Sequence, residues 1–140
     1  MKLNRREFIK MSAASAAAIS LTGFPLRASS RNDMPYRVLG KTGLEVSLLT
    51  IGGWSIGVDE LTDAESIKLM RTAIDEGINF FDNAWDYHDG GSEVRMGKAL
   101  QDGYREKVIL MTKHHGRKPE YARKHLEDSL RRLKTDYIDV

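Results

Sequence analysis

The sequence predicts an α/β fold built around a parallel sheet in which strands and helices alternate. Three positions carry this prediction, because Gly52, Asp82 and Lys113 each follow an apolar, strand-like run and lie 30 and 31 residues apart. One strand-plus-helix repeat has about this length. In a parallel α/β repeat, positions that recur with this period lie on one rim, at the carboxyl ends of the strands, where loops can gather catalytic groups.

A β-hairpin is expected before the first strand of that sheet. Residues 36–39 and 44–47 are short alternating runs, and they flank a turn with glycine at both ends, Gly40 and Gly43. Short strands around a glycine-bounded turn are typical of hairpins. Residues 48–51 then predict a first buried strand.

The next repeat is predicted to be a helix followed by a strand. Thr62 and Glu65 have the spacing of a capping box, which marks the start of a helix. Gly77 suits the end of that helix. Residues 78–81 predict the second strand. The apolar positions expected to face the core recur at helical spacing and are Ile67, Met70 and Ile74.

Two further repeats follow in the same order. Ser92 is a candidate cap for a second helix. Residues 108–111 form an uninterrupted apolar run, which predicts a strand covered on both faces. Pro119 suits the first turn of a third helix, and residues 137–140 begin a fourth strand. The second helix contains Val94, Gly97 and Leu100. The buried stripe expected on the third helix is Ala122, Leu126, Leu130 and Leu133.

Composition excludes several classes of partner. The net charge of +2 is concentrated in residues 1–30, which hold five basic residues and one acidic residue, leaving 17 basic and 19 acidic residues in 31–140. This faintly acidic part gives no argument for a nucleic-acid partner. The chain has no cysteine and therefore no disulfide or thiolate metal ligand. We expect no metal site.

Residues 1–30 are predicted to be a targeting segment, with a basic start, a stretch rich in alanine and serine, and small residues near its end. The segment is too short and too weakly apolar for a stable membrane span. Its paired Arg5 and Arg6, followed by Phe8 and Lys10, resemble the twin-arginine export signal of bacteria. This resemblance implies export of an already folded protein to the periplasm by the twin-arginine machinery.

Three polar residues near the predicted rim fit the chemistry of carbonyl reduction, which requires a hydride on carbon and a proton on oxygen. No side chain donates hydride, so a nicotinamide cofactor must. A tyrosine can give the proton, although an unperturbed pKa of about 10 makes it a reluctant acid. A nearby ammonium stabilises the phenolate, and a carboxylate paired with the ammonium holds it in place. Tyr87, Lys113 and Asp82 fit these three roles.

Spacing alone leaves plainer roles open for the same residues. Asp82 could cap the end of a strand, Lys113 could be a solvated loop residue, and Tyr87 could be a partly buried packing residue. A charged pair near a strand end is common in proteins without catalytic function.

Residues 77–100 resemble the signature of the aldo-keto reductases, and most of residues 36–140 fit the same family. The matching positions in the signature are Phe81, Asp82, Ala84, Tyr87, Ser92, Glu93 and residues 97–100. The other matches are the hairpin 39–47, the turn 52–54, the strand end 111–113 and the segment 130–139.

The resemblance implies a (β/α)₈ TIM barrel, of which residues 31–140 would form the N-terminal hairpin and about three and a half βα units. It also implies NADPH as the hydride donor, with NADH as the alternative, and a small aldehyde or ketone as the substrate. Asp82, Tyr87 and Lys113 would be catalytic. Gly53, Trp54 and Asp82 would lie near the nicotinamide end of the cofactor.

Some positions depart from the family pattern. The fourth member of the family's catalytic tetrad is a histidine after strand four, and the repeat spacing puts it near position 144, beyond Val140. His114 and His115 follow Lys113, but consecutive residues point in different directions and we expect solvated loop residues. The family's contacts to the adenosine phosphate come from the last strands of the barrel.

The loop around Tyr87 has further departures and open roles. Asn83 replaces a small hydroxyl residue, which is a mild change. Trp85, Asp86 and His88 could line the mouth of a substrate site, whereas Trp85 could equally pack the loop.

Two kinds of function therefore remain. The first is an exported NADPH-dependent oxidoreductase that reduces an aldehyde or ketone to an alcohol, with this 140-residue chain inactive on its own. The second is a truncated, non-catalytic half-barrel or binding module. An isomerase or lyase that uses Lys113 and Asp82 is less favoured, because the sequence has no phosphate loop or metal-ligand pattern.

Overall fold

A computed structural model describes residues 29–31 and 33–140 of the chain. The predicted signal segment lies outside the described residues except at Ser29 and Ser30. These two residues begin a strand, β1 (Ser29–Arg31), which the sequence did not predict. Within the described residues, no helix combines the length and the apolar character needed to cross a membrane.

The first sheet is antiparallel and contains the predicted hairpin. Strand β2 (Met34–Val38) pairs with β1 on one side and with β3 (Glu45–Ser47) on the other. The turn between β2 and β3 uses left-handed backbone at Gly40 and Gly43, where φ is 54° and 78°, a conformation that glycine adopts at no steric cost. The hairpin prediction is confirmed.

The hairpin closes the amino end of the second sheet. Asn79, which precedes the central strand of that sheet, accepts a hydrogen bond from the Ser47 N–H (2.7 Å) and donates one to the Glu45 carbonyl (2.9 Å). The buried Tyr36 hydroxyl donates to the Gly77 carbonyl. The carboxyl ends of the parallel strands are thus left as the rim open to ligands.

The second sheet is parallel, with strand order β4, β5, β6. These strands, Thr50–Gly52, Phe80–Asp82 and Ile109–Met111, begin one or two residues later than predicted. The expectation of a fully buried first strand is wrong, because Thr50 and Gly52 are exposed on this edge strand. Strand β6 is buried only at Leu110 and half-buried at its ends, so it is not covered on both faces.

Among the residues that the structure describes, four α-helices accompany the strands. Helix α1 (Gly53–Ile56) is a single turn, α2 (Asp63–Asp75) and α3 (Gly91–Ala99) follow β4 and β5, and α4 (Pro119–Leu133) follows β6. Short 3₁₀ turns span Tyr87–Gly90 and Arg105–Lys107.

The local signals at the helix ends are confirmed. Thr62 and Glu65 form a complete capping box at the start of α2. Gly77 has φ 97°, the left-handed conformation expected after a helix. Pro119 opens α4, where its missing N–H costs no helical hydrogen bond.

One helix prediction is wrong and another is confirmed only in part. Ser92 lies inside α3 rather than capping it, because Gly90 is the residue that precedes the helix. On α4 the predicted stripe is confirmed at the buried Leu133, but Leu126 is 49% exposed and the other buried positions are His125 and Ser129. Helix α4 packs on the segment around Trp85, so its buried face is rotated from the stripe that apolar residues alone predict.

The core lies between the parallel sheet and the helices. Phe81, Leu110 and Met96 are fully buried there, and burying a side chain of this size contributes about 1.5–3 kcal/mol. The complete cluster is Ile56, Met70, Ile74, Phe81, Met96, Ala99, Leu100, Val108, Leu110 and Leu133. Gly97 brings α3 against α4, since a Cβ at this position would overlap the Arg132 carbonyl oxygen.

The last residues run beside β6 without forming the regular fourth strand that was predicted. Backbone N–H groups of Asp139 and Val140 both donate to the Leu110 carbonyl, at 3.0 and 3.2 Å. The Asp139 carboxylate pairs with Arg105 at 2.8 Å and accepts from the Leu110 N–H at 2.8 Å. The Asp139 side chain thus makes contacts with β6 that backbone hydrogen bonds would make in a regular strand.

Candidate active site

The open rim of the parallel sheet is assembled by strand register. Gly52 pairs with Asp82 and Asp82 pairs with Met111, so these residues lie at one level. Beyond the strands, the Trp85 N–H donates to the Lys113 carbonyl (2.9 Å). Because side chains alternate along extended backbone, Lys113 points to the same side as Met111. Lys113 therefore lies on the same rim as Asp82, two residues past its level.

Asp82 and Lys113 form an ion pair at this rim. The Lys113 ammonium contacts Asp82 Oδ1, and it lies 5.1 Å from the centre of the Tyr87 ring, within the range of a cation–π interaction. The side chains of Lys113 and Asp82 are 42% and 35% exposed, so a ligand can reach the pair. The structure thus brings together the three residues that the sequence singled out as catalytic.

Tyr87 begins a 3₁₀ turn with unusual backbone. His88 and Asp89 both have left-handed φ angles, 51° and 53°, and Gly90 follows at 87°. The turn is fixed from both sides, because the Tyr87 N–H donates to the Ala84 carbonyl (3.2 Å) and the Asp89 N–H donates to the Asp86 carbonyl (3.3 Å). These backbone contacts therefore hold the turn that carries Tyr87 at the rim.

Gly53 and Trp54, the expected neighbours of a nicotinamide, have different environments. Gly53 is buried, and a Cβ there would overlap the Asn83 side chain. Trp54 is 59% exposed, and its ring meets the Tyr87 ring edge-on at 5.5 Å and 89°. Trp54 thus presents an indole face to solvent beside Tyr87, whereas Gly53 permits close packing below it.

Asn83 and Ser92 support the turn that carries Gly53. The Ser92 hydroxyl lies 2.6 Å from the Gly53 carbonyl and 3.0 Å from Asn83 Oδ1, so its single proton faces two acceptors. Asn83 is fully buried, and its Oδ1 also accepts from the Ala84 N–H at 2.9 Å. The match of Ser92 to the family signature therefore corresponds to a packing role, not to a helix cap.

A buried ionic network beneath the rim was missed by the sequence reasoning. Glu93 is fully buried, pairs with Arg132 at 3.2 Å and accepts from the Thr112 hydroxyl at 2.8 Å. Arg132 also donates to the Trp85 carbonyl at 2.8 Å. Thr112 precedes Lys113, so the network links the segments that carry Tyr87 and Lys113. The available signal was Glu93 itself, an acidic residue within the signature match.

The histidines near Lys113 lie outside the cluster of Asp82, Tyr87 and Lys113. His114 and His115 are exposed, as expected for loop residues. His115 lies 3.4 Å from the Asp86 carboxylate and contacts the Trp85 ring edge-on. Trp85 stacks on the buried His125 at 3.7 Å, so of its two predicted roles the packing role is the one observed.

His125 is the buried histidine of this region. Its Nδ1 is buried without a hydrogen-bond partner among the residues that the structure describes. Burial lowers the pKa of His125, and the nearby His115 and His114 lower it further, whereas Asp128 acts in the opposite direction. The neutral imidazole therefore packs on Trp85 as an aromatic ring.

The residues present fit the nicotinamide end of a dinucleotide. Gly52 leaves open space where a side chain would stand, with no atom within 4 Å of an added Cβ. The exposed Trp54 indole offers a flat apolar surface beside it. Among the described residues, no group of three or more histidine or carboxylate side chains could hold a metal ion.

Comparisons with known proteins agree with this arrangement. The model of the Aldo/keto reductase family matches residues 48–140. Aldo-keto reductase YhdN of Bacillus subtilis is 38% identical over 125 residues, which covers 76% of this chain and 37% of that protein. A probable voltage-gated potassium channel subunit beta of rice (Oryza sativa subsp. japonica) is 41% identical over 118 residues, covering 76% and 36%.

Solved structures give the same result. An aldo-keto reductase from Klebsiella pneumoniae, in complex with NADP and acetate, superposes with a TM-score of 0.63 at 34% identity, covering 69% of this chain and 35% of that one. The chain thus spans little more than a third of the relatives it matches, and its strands and helices form part of a (β/α)₈ barrel, as predicted. From the family match and these relatives, the chain belongs to the aldo/keto reductase family.

Proposed function

We propose that the full-length protein is an NADPH-dependent oxidoreductase that reduces an aldehyde or ketone to an alcohol. The observation that carries this proposal is the grouping of Asp82, Lys113 and Tyr87 at an open rim. Relatives named as reductases support it. NADPH is favoured over NADH because the K. pneumoniae relative was solved with NADP.

The three side chains divide the proton chemistry between them. The bound nicotinamide supplies the hydride that the carbonyl carbon receives. The Tyr87 hydroxyl gives its proton to the carbonyl oxygen. Lys113 stabilises the resulting phenolate with its positive charge, and Asp82 holds the ammonium in place and keeps it charged.

Four residues are proposed to hold the nicotinamide end of the cofactor. Gly52 lets the ring approach the backbone, the buried Gly53 packs the turn against Asn83 below the ring, and Trp54 offers an apolar surface. Asp82 lies at the same level of the sheet as Gly52. The adenosine end would be held by later strands of the barrel. The carbonyl compound would then lie between the cofactor and Tyr87.

Replacing the proton donor tests the proposal. In the full-length protein, Tyr87→Phe should lower the turnover of an aldehyde by about 10²–10⁴, while the Kd for NADPH, measured by fluorescence titration, should change little. Lys113→Met should lower the turnover by a similar factor, because the Tyr87 phenolate loses the positive charge beside it. Tyr121→Phe, an exposed tyrosine on α4, is the matched control. Turnover of Tyr87→Phe within about twofold of wild type would mean that another group donates the proton.

A second candidate function applies to the 140-residue chain by itself, as a non-catalytic half-barrel or binding module. Leu48, Leu49 and Val140 are 52%, 59% and 46% exposed, as residues covered by further parts of a barrel would be. The potassium channel subunit among the relatives is an example of a named role other than reduction. We propose that this chain alone is inactive as a reductase.

We also propose that residues 1–30 form a twin-arginine signal and that the protein is exported to the periplasm. The support is the sequence pattern of Arg5, Arg6, Phe8 and Lys10. The twin-arginine machinery would then be a partner of the signal segment, and the folded protein that follows this segment would be the cargo.

A further inference from the structure

We infer that His88 is a positioning residue, whose imidazole fixes the Trp54 indole beside Tyr87. This inference rests on the proposed function, because it assigns a role to a residue next to the proposed proton donor. The two aromatic side chains lie on different elements, Trp54 on α1 and Tyr87 on the 3₁₀ turn after β5. The His88 side chain links these two elements.

His88 makes two contacts with the Trp54 segment. Its Nε2 lies 2.9 Å from the Trp54 carbonyl oxygen, and a carbonyl can only accept, so Nε2 carries the proton. Its ring also lies 4.5 Å from the Trp54 ring at a tilt of 37°. One imidazole therefore holds both the backbone and the ring of the same tryptophan.

Trp54 has few other restraints on its ring. The indole is 59% exposed, so burial does not fix it. Its remaining aromatic contact is the edge-on meeting with Tyr87 at 5.5 Å. The orientation of the indole towards a ligand thus depends on His88.

The imidazole lies in a space made by glycine. A Cβ at Gly57 would overlap His88 Cδ2, so glycine at position 57 admits the ring. The Gly57 N–H also donates to the Trp54 carbonyl (3.2 Å), the oxygen to which His88 donates. His88 reaches this space with left-handed backbone, φ 51° and ψ 46°, which is unfavourable for a residue with a Cβ and is retained only when surrounding contacts require it.

These contacts predict a specific kinetic signature. Tyr87 keeps its backbone hydrogen bond and its contact with Lys113 when His88 is removed, so the proton donor stays in place. The indole, which borders both the nicotinamide and the carbonyl compound in the proposed function, loses its fixed orientation towards an aromatic substrate, and saturating NADPH keeps its contact with the cofactor from limiting the assay. The KM should therefore change more than kcat, and more for an aromatic than for a small aliphatic aldehyde.

The test compares three variants of the full-length protein. We expect His88→Ala to raise the KM for benzaldehyde about tenfold, the size of one aromatic contact, with kcat within about threefold and the KM for propanal nearly unchanged. His88→Phe keeps a ring, and His88→Gln keeps a donor, so each should recover part of the loss. His114→Ala, at an exposed loop histidine, is the control.

A second measurement needs no activity. The heteronuclear NOE of the Trp54 indole N–H, assigned with Trp54→Phe, should fall in His88→Ala in the absence of cofactor and substrate. Unchanged NOE in folded variants would overturn the inference, and so would a loss of kcat at constant KM. If the wild-type protein reduces no aldehyde, the proposed function fails, and the NOE alone decides the role of His88.

Discussion

Glu93 and Arg132 form an ion pair beneath the candidate active site, with the carboxylate fully buried and 3.2 Å from the guanidinium. The pair joins α3 to α4. It also reaches the segments that carry Tyr87 and Lys113, because Arg132 donates to the Trp85 carbonyl and Glu93 accepts from Thr112. Holding the loop of Tyr87 and the strand end of Lys113 to the same two helices keeps the two segments at a fixed separation.

Arg132→Gln should destabilise the full-length protein strongly. Removing one partner of a buried pair leaves the other charge without compensation, which typically costs about 3–5 kcal/mol. The neighbouring Arg131 is a matched control, because it also pairs with a carboxylate, that of Asp128, but its own side chain is 74% exposed. Arg131→Gln should cost less than about 1 kcal/mol. Urea unfolding measures both. Equal losses for the two variants would mean that the Glu93 pair contributes no more than a surface pair.

Stability should fall as the pH drops below the ordinary histidine pKa of 6.5, and His125 should be one cause. Its pKa is lowered by burial, by His115, His114 and Lys124, and raised by Asp128. The folded protein therefore binds this proton less tightly than the unfolded chain. Its contribution is complete above pH 6.5 and is lost as the pH falls from 6.5 towards the folded pKa.

The variant His125→Phe tests this pH dependence, because it keeps a ring on Trp85 that does not titrate. The urea midpoint of the variant should vary less than that of wild type between pH 8 and pH 5. His114→Gln, which removes an exposed imidazole, should change the profile much less. An unaltered profile in His125→Phe would assign the acid sensitivity to other groups.

Export can be measured with the signal segment alone. Residues 1–35 fused to a folded fluorescent reporter should bring it to the periplasm, because the machinery reads the arginine pair. The double substitution Arg5→Lys, Arg6→Lys should leave the reporter in the cytoplasm. Equal periplasmic fluorescence from both fusions would exclude the twin-arginine route.

Residues 31–140 alone should neither reduce aldehydes nor bind NADPH tightly, and they should aggregate. Open sheet edges and exposed apolar residues such as Leu48 and Leu49 favour association. Size-exclusion chromatography, thermal unfolding and NADPH titration check this. A soluble monomer with a cooperative transition and micromolar NADPH affinity would instead identify this part as a functional unit.

Local signals allowed the most accurate sequence predictions. The capping box at Thr62 and Glu65, the left-handed Gly77 and the proline that opens α4 each depend on a few neighbouring residues. The repeat length was enough to gather Asp82 and Lys113, since parallel strands align their carboxyl ends.

The incorrect predictions concern features that depend on contacts between residues far apart in the sequence. The buried face of α4 depends on Trp85, which lies 40 residues earlier and stacks on His125. Glu93 was not recognised as buried, because its partners Arg132 and Thr112 come from other segments. The same limit applies to Ser92, whose hydroxyl is directed to Gly53 instead of to its own helix.

Gly97 has a consequence beyond close packing. It lies one helical turn after Glu93, and its missing side chain lets the α3 backbone touch the carbonyl of Arg132. A methyl group at position 97 would overlap the α4 backbone and force α3 and α4 apart. An ion pair at 3.2 Å does not survive such a separation. The missing side chain at Gly97 therefore sets the distance between Glu93 and Arg132. Through this ion pair it also sets the spacing between the segments that carry Tyr87 and Lys113.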